Sequence, residues 1–140
     1  MMRRWAPAAL LLATAGCTAG DGSSAMQIAC AQGAESWSRT ELYFGLSRSN
    51  GPAIGDAEFH GFVDREITPR FPDGLTVLSA SGQWRGADGT IVKEGTRMLV
   101  LLHQGTPDAG RKIDEIREAY RAQFDQDSVL RVDDASCVSF

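Results

Sequence analysis

Three thiols carry the most reactive chemistry in this 140-residue chain: Cys17, Cys30 and Cys137. Three is an odd number, so one cysteine must have a fate of its own. If that one is Cys17, then Cys30 and Cys137 remain as an even pair, which an oxidising compartment joins as a disulfide. The alternative is two free thiols. Among the other side chains, Arg70 and Arg85 present the planar fork that grips a carboxylate or phosphate. Tyr43 and Trp84 offer ring faces with a polar tip. Glu94 and Arg97, both on one strand, suit either a general acid with its tuning partner or ordinary pairing with residues across the hairpin, and the latter is favoured. The candidate ligand-binding set is therefore Tyr43, Arg70, Trp84, Arg85 and Glu94. No catalytic residue is assigned. His60 and His103 have no second nitrogen or thiolate at metal spacing, so no metal site follows. The chain holds no G-x-S-x-G, H-E-x-x-H or C-x-x-C and no phosphate-cradling glycine loop, and no cofactor is implied.

The surroundings of Cys17 explain its isolation. Arg3 and Arg4 open the chain, residues 5–15 are apolar apart from Pro7 and Thr14, and small residues lead directly to the cysteine. Charge, greasy run and small-residue cut make a secretory signal, expected over residues 1–16. The run falls short of the ~20 residues that a spanning helix needs. Leu11-Leu-Ala-Thr-Ala-Gly-Cys17 resembles the lipobox of bacterial lipoproteins, with Thr14 where leucine is commonest. That resemblance implies lipid on Cys17, a membrane partner held covalently, and a cell-envelope address. Thr18 follows the cysteine in place of an aspartate, which by analogy favours the outer membrane, facing the periplasm, over the inner. Residues 17–36 are then a flexible tether rich in Ala, Gly and Ser, and residues 37–140 are one folded domain. The net charge is −4 with the leader, and loss of Arg3 and Arg4 makes it more negative. Such a chain lacks the basic footprint of nucleic-acid binding.

The domain reads as six elements. Residues 40–46 alternate and are rich in aromatic residues, which marks a strand. Asp56 is placed to cap a helix running to about Ile67, with Phe59, Phe62, Val63 and Ile67 on one face. Thr68-Pro69 should end it, since a residue before proline avoids the helical region. Residues 75–85 and 90–103 form a hairpin around the Asp88-Gly89 turn. Thr106 caps a second helix over residues 108–126, and residues 128–140 form a last strand. The order β-α-β-β-α-β predicts an α+β, ferredoxin-like fold: a four-stranded antiparallel sheet in order 4-1-3-2 with two helices on one face. Leu42, Phe44, Phe62, Leu99, Leu101, Ile116 and Tyr120 are the expected core. In this arrangement Cys137 comes beside the start of the first strand, within reach of Cys30. The other sheet face would show Tyr43 and half of the apolar run 98–102. A second subunit, a ligand, or the segment around Trp37 would have to cover it.

Thr68-Pro-Arg-Phe-Pro-Asp-Gly-Leu75, Gly82-Gln-Trp-Arg85, Thr40-Glu-Leu-Tyr-Phe-Gly45 and Ser128-Val-Leu-Arg-Val132 together resemble the bacterial domain-of-unknown-function family 3574. The resemblance covers roughly residues 37–140. It implies a small exported or lipid-anchored protein and brings no activity with it.

Lacking a catalytic signature, the chain is expected to bind rather than to catalyse. The leading expectation is a lipid-anchored cell-envelope binding or interaction domain, its protein or small-molecule partner unidentified. A homodimer through the open sheet face is one form of that reading. The alternative is a small-molecule enzyme of the dimeric α+β-barrel type. A cavity of about 300 Å3 or more, shared by Tyr43, Arg70, Trp84 and Glu94, would favour the enzyme.

Overall fold

A computed structural model describes residues 28–140. The leader, expected to be a loose helix, and Cys17 lie outside the described residues, as does most of the expected tether.

Each element follows from local chemistry. Strand β1 (Glu35–Gly45) alternates inward and outward residues. Helix α1 (Asp56–Phe62) continues into a wide π turn (Val63–Ile67). Its N-cap is Gly55 rather than Asp56, and the Glu58 carboxylate reaches back to the Gly55 N–H at 3.1 Å. Thr68 keeps a helical conformation (φ −53°, ψ −44°) and donates to the Val63 carbonyl, contrary to expectation. The helix stops because Pro69 has no N–H with which to continue the ladder. Strands β2 (Thr76–Arg85) and β3 (Ile91–His103) form the hairpin, turning at Gly89 with φ 84°. Helix α2 (Pro107–Phe124) starts where the Thr106 hydroxyl accepts the Ala109 N–H, and β4 (Leu130–Val138) closes the chain.

All strand pairs are antiparallel, in the order β2-β3-β1-β4. Read from the β4 edge, this is the expected 4-1-3-2. Both helices pack on one face. The seven expected core residues are all fully buried, joined there by Phe59, Ile67, Ile113 and Val129. Phe44, Phe59, Phe62 and Tyr120 pack edge to face at centroid distances of 4.6–6.2 Å. Each such side chain stabilises the fold by about 1.5–3 kcal/mol. The Tyr120 hydroxyl donates to the Gly45 carbonyl at 2.8 Å, so its buried polar tip is satisfied.

The start of the first strand moves furthest. β1 begins at Glu35, ahead of the expected Thr40, so Glu35 and Ser36 belong to the sheet and not to a tether. The cause is tertiary: β4 pairs with β1 from Glu35↔Val138 to Tyr43↔Leu130. Cys30 and Cys137 are disulfide-bonded, Cα atoms 5.5 Å apart, which ties the chain ahead of β1 to the end of β4.

Candidate functional site

Among the described residues no element covers the face of the sheet opposite the helices. Period-two alternation puts Tyr43 outward between the buried Leu42 and Phe44. The register then draws one rung across all four strands: Leu130 on β4, Tyr43 on β1, Met98 on β3 and Leu78 on β2. Leu130 is 59% exposed and Leu78 42%, while Tyr43 and Met98 are half-buried. Val132, Val100 and Leu102 extend the apolar surface to the neighbouring rungs. Trp37 does not fold over this face. It stands on it, within β1 and opposite Ser136, with its ring 5.8 Å from that of Phe140.

A polar ladder runs along β1 through the apolar surface. The Arg39 Nη2 donates to Glu41 Oε1 at 2.6 Å, and the Tyr43 hydroxyl donates to Glu41 Oε2 at 2.6 Å. The Tyr43 hydroxyl and Arg39 together hold the Glu41 carboxyl below its ordinary range, and the same carboxylate raises Tyr43. Glu41 is thus a committed carboxylate and not a proton donor at neutral pH. Beside it lies a shallow hollow of about 330 Å3, lined by Arg39, Glu41, Val132, Asp134 and Ser136.

The other candidates sit elsewhere. Glu94 accepts the Trp84 indole N–H at 3.0 Å across the hairpin and the Ser47 N–H at 3.2 Å. It does not meet Arg97, which points to the helix side and binds Asp56 and Ser79. Arg85 neighbours Trp84 in sequence and therefore faces the opposite way. Arg70 lies beyond the sheet end. Its Nη1 binds the Glu66 carbonyl at 2.6 Å and carboxylate at 3.0 Å, and its Nε meets Glu115 at 3.2 Å. It borders a hollow of about 210 Å3 with Trp37, Phe71, His103 and Lys112. Lys112 is already paired with Asp108 at 2.9 Å. The expected candidates therefore do not share one cavity: Tyr43, Trp84 and Glu94 stand on the open face, and Arg70 and Arg85 do not.

A polar cluster on the helix side escaped the sequence reading. The fully buried Thr40 donates its hydroxyl to Asp133 Oδ1 at 2.6 Å and meets His103 Nε2 at 3.0 Å. The Gly105 N–H donates to His103 Nδ1 at 3.1 Å, which leaves the ring proton on Nε2, pointing at Thr40. Asp133 also takes Arg131 at 2.8 Å, and Arg131 reaches Asp114 on α2 at 3.1 Å. The order of donors is the reverse of a nucleophile with its base, because His103 gives a proton to the hydroxyl instead of accepting one. The cluster satisfies buried groups and joins β1, β3 and β4. Its one sequence signal was a threonine at an inward strand position ahead of Leu42 and Phe44, where a polar side chain needs a partner. Among the described residues no group of three or more His, Cys, Asp or Glu is placed to hold a metal ion.

Comparison with known proteins agrees with the architecture. A phage SAM lyase in complex with S-methyl-5'-thioadenosine aligns with a TM-score of 0.58 at 13% identity, over 83% of this chain and 97% of that one. The same kind of enzyme in the apo state gives 0.55 at 16%, over 84% and 97%. CutA from Synechococcus elongatus PCC7942, complexed with Bis-Tris, gives 0.50 at 9%, over 76% and 87%. At these identities the likeness shows the fold alone. No curated protein matches the sequence. A family model described as "Protein of unknown function (DUF3574)" matches residues 39–140.

Proposed function

We propose, for a chain that belongs to the DUF3574 family, that it is a lipid-anchored binding domain of the bacterial cell envelope that works through the open face of its sheet. The observation that carries the binding half is the rung Leu130–Tyr43–Met98–Leu78, apolar and accessible across the whole sheet. A solvated face of this kind marks an interaction surface. The envelope half rests on the leader and the small residues before Cys17, and the Cys30–Cys137 disulfide suits an oxidising compartment. Lipid on Cys17 would hold the domain at a membrane, and Thr18 in place of an aspartate after it favours the outer membrane, facing the periplasm.

Two measurements test this. Cell fractionation should find the wild-type chain with membranes and the Cys17→Ser chain in the soluble periplasm. Recovery of unprocessed wild-type protein in a soluble fraction overturns the anchor. A photo-reactive amino acid at Val132, on the open face, should give cross-links in cells. The same group at Asp64, exposed on the helix side, should give none. Equal labelling at both positions, or none at Val132, overturns the binding face.

A further inference from the structure

We infer that the partner of the open face is a basic amphipathic polypeptide segment rather than a second copy of this chain. The inference rests on the reading of that face as the binding surface and deepens it. The apolar centre is bordered by Glu35, Glu94 and Asp134, and among the described residues none of these three forms an ion pair with a cation. Glu35 accepts the Trp37 indole N–H at 3.0 Å, and Glu94 does the same for Trp84 at 3.0 Å. Asp134 takes only the N–H of its own neighbour Ala135, at 2.7 Å. Arg39 pairs in register with Asp134, yet its guanidinium is spent on Glu41. Hydrogen bonds from indole and amide groups leave the negative charges standing. The face therefore carries apolar surface and uncompensated carboxylates together.

That pattern selects its occupant. Two copies face to face would bring these carboxylates into a shared, drier interface with only the committed Arg39 on each side, and like charges there are penalised. An anionic membrane surface is excluded on the same ground. Lysine and arginine side chains fit. At each end of the face a tryptophan ring lies beside the carboxylate that holds its N–H, which offers a cation both a ring face and a negative charge. At the β4 edge, the hollow lined by Asp134, Ser136, Val132 and the mutually paired Arg39 and Glu41 admits a basic head group at Asp134 with its stem along the valine. From the Trp37 rung to the Gly45↔Thr96 rung, beside which Glu94 stands, is eight strand residues, or about 26 Å. A helix of roughly 20 residues spans such a distance, with leucine-like residues on the central rungs and basic residues towards both ends.

The test uses the full-length Cys17→Ser chain and two labelled 20-residue amphipathic peptides, one of leucine and lysine and the other of leucine and glutamate. Fluorescence anisotropy should show the lysine peptide binding at least tenfold more tightly than the glutamate peptide, with an affinity that falls as salt rises. Combining Glu35→Gln, Glu94→Gln and Asp134→Asn removes the charges and keeps an acceptor at each position. That variant should lose about tenfold in affinity at unchanged melting temperature, whereas Asp64→Asn on the helix side changes nothing. Leu78→Ser with Leu130→Ser should also abolish binding. Equal binding of both peptides, no binding of either, or no effect of the triple variant overturns the inference. So does a dimer of the chain alone that Leu78→Ser with Leu130→Ser converts to monomer. In that last case the cross-link at Val132 persists as a chain-to-chain adduct, so the open face remains a binding surface and only its occupant changes.

Discussion

His103 has one tautomer available to it, and that gives the domain a defined response to pH. Its Nδ1 accepts the Gly105 N–H, so a second proton would confront a donor. Burial also depresses the imidazole below its ordinary 6.5; the facing Asp133 works against this and Arg131 with it. A base with a depressed native pKa contributes stability that is present above its unfolded value and lost as pH falls through the native one. Stability should therefore decline as pH drops below about 6.5, and His103→Gln should flatten that window in urea titrations. Asp133 responds lower on the scale. Burial alone would raise it, but the Thr40 hydroxyl and Arg131 outweigh burial and hold it down, so its contribution is lost only below its ordinary 3.8. Thr40→Val keeps the shape of the side chain and removes the hydroxyl between these groups. Left with unpaired partners, the domain should lose about 1–3 kcal/mol, read as a lower urea midpoint at constant slope.

At the scale of elements, Arg70 and Arg85 part company. Arg70 fastens the end of the π turn to α2 through Glu66 and Glu115, and its side chain is 27% exposed. Arg85, at the exposed tip of the β2–β3 hairpin, has a side chain with no hydrogen bond or ion pair among the described residues. Arg70→Ala should cost up to about 1 kcal/mol, as partly exposed ion pairs do. That amounts to a fall of roughly 4–8 °C in a domain of this size. Arg85→Ala should leave the melting temperature unchanged. An unchanged melting temperature for Arg70→Ala would mean that Arg70 fastens nothing. The same alternation that separates Arg85 from Trp84 was legible in the sequence, since neighbours along a strand face opposite ways. The pairing of Trp84 with Glu94 was not, because it depends on the register of two strands.

At the scale of the whole molecule, the disulfide spans 107 residues and closes nearly the entire domain. The chain-entropy model assigns such a closure about 4–5 kcal/mol as an upper value. The double variant Cys30→Ser with Cys137→Ser should be less stable by up to that amount and should match the reduced wild type in denaturant titrations. It should keep the sheet, since nine residue pairs still hold β1 to β4. A stability equal to that of the oxidised protein would show that the link constrains little. The sequence by itself determined the element order, the inward set Leu42, Phe44, Leu99 and Leu101, the helical face from Phe59 to Ile67, and the turn at Gly89. Those depend on periodicity and turn chemistry within a few residues. Only the tertiary structure decided that β1 starts at Glu35, that Thr40 meets an aspartate 93 positions away, and that Arg70 and Tyr43 belong to different places. It also decided that one sheet face stays open with carboxylates around it. Such partners are chosen when distant stretches of chain return to the same sheet, and no local pattern records which residue will arrive opposite which.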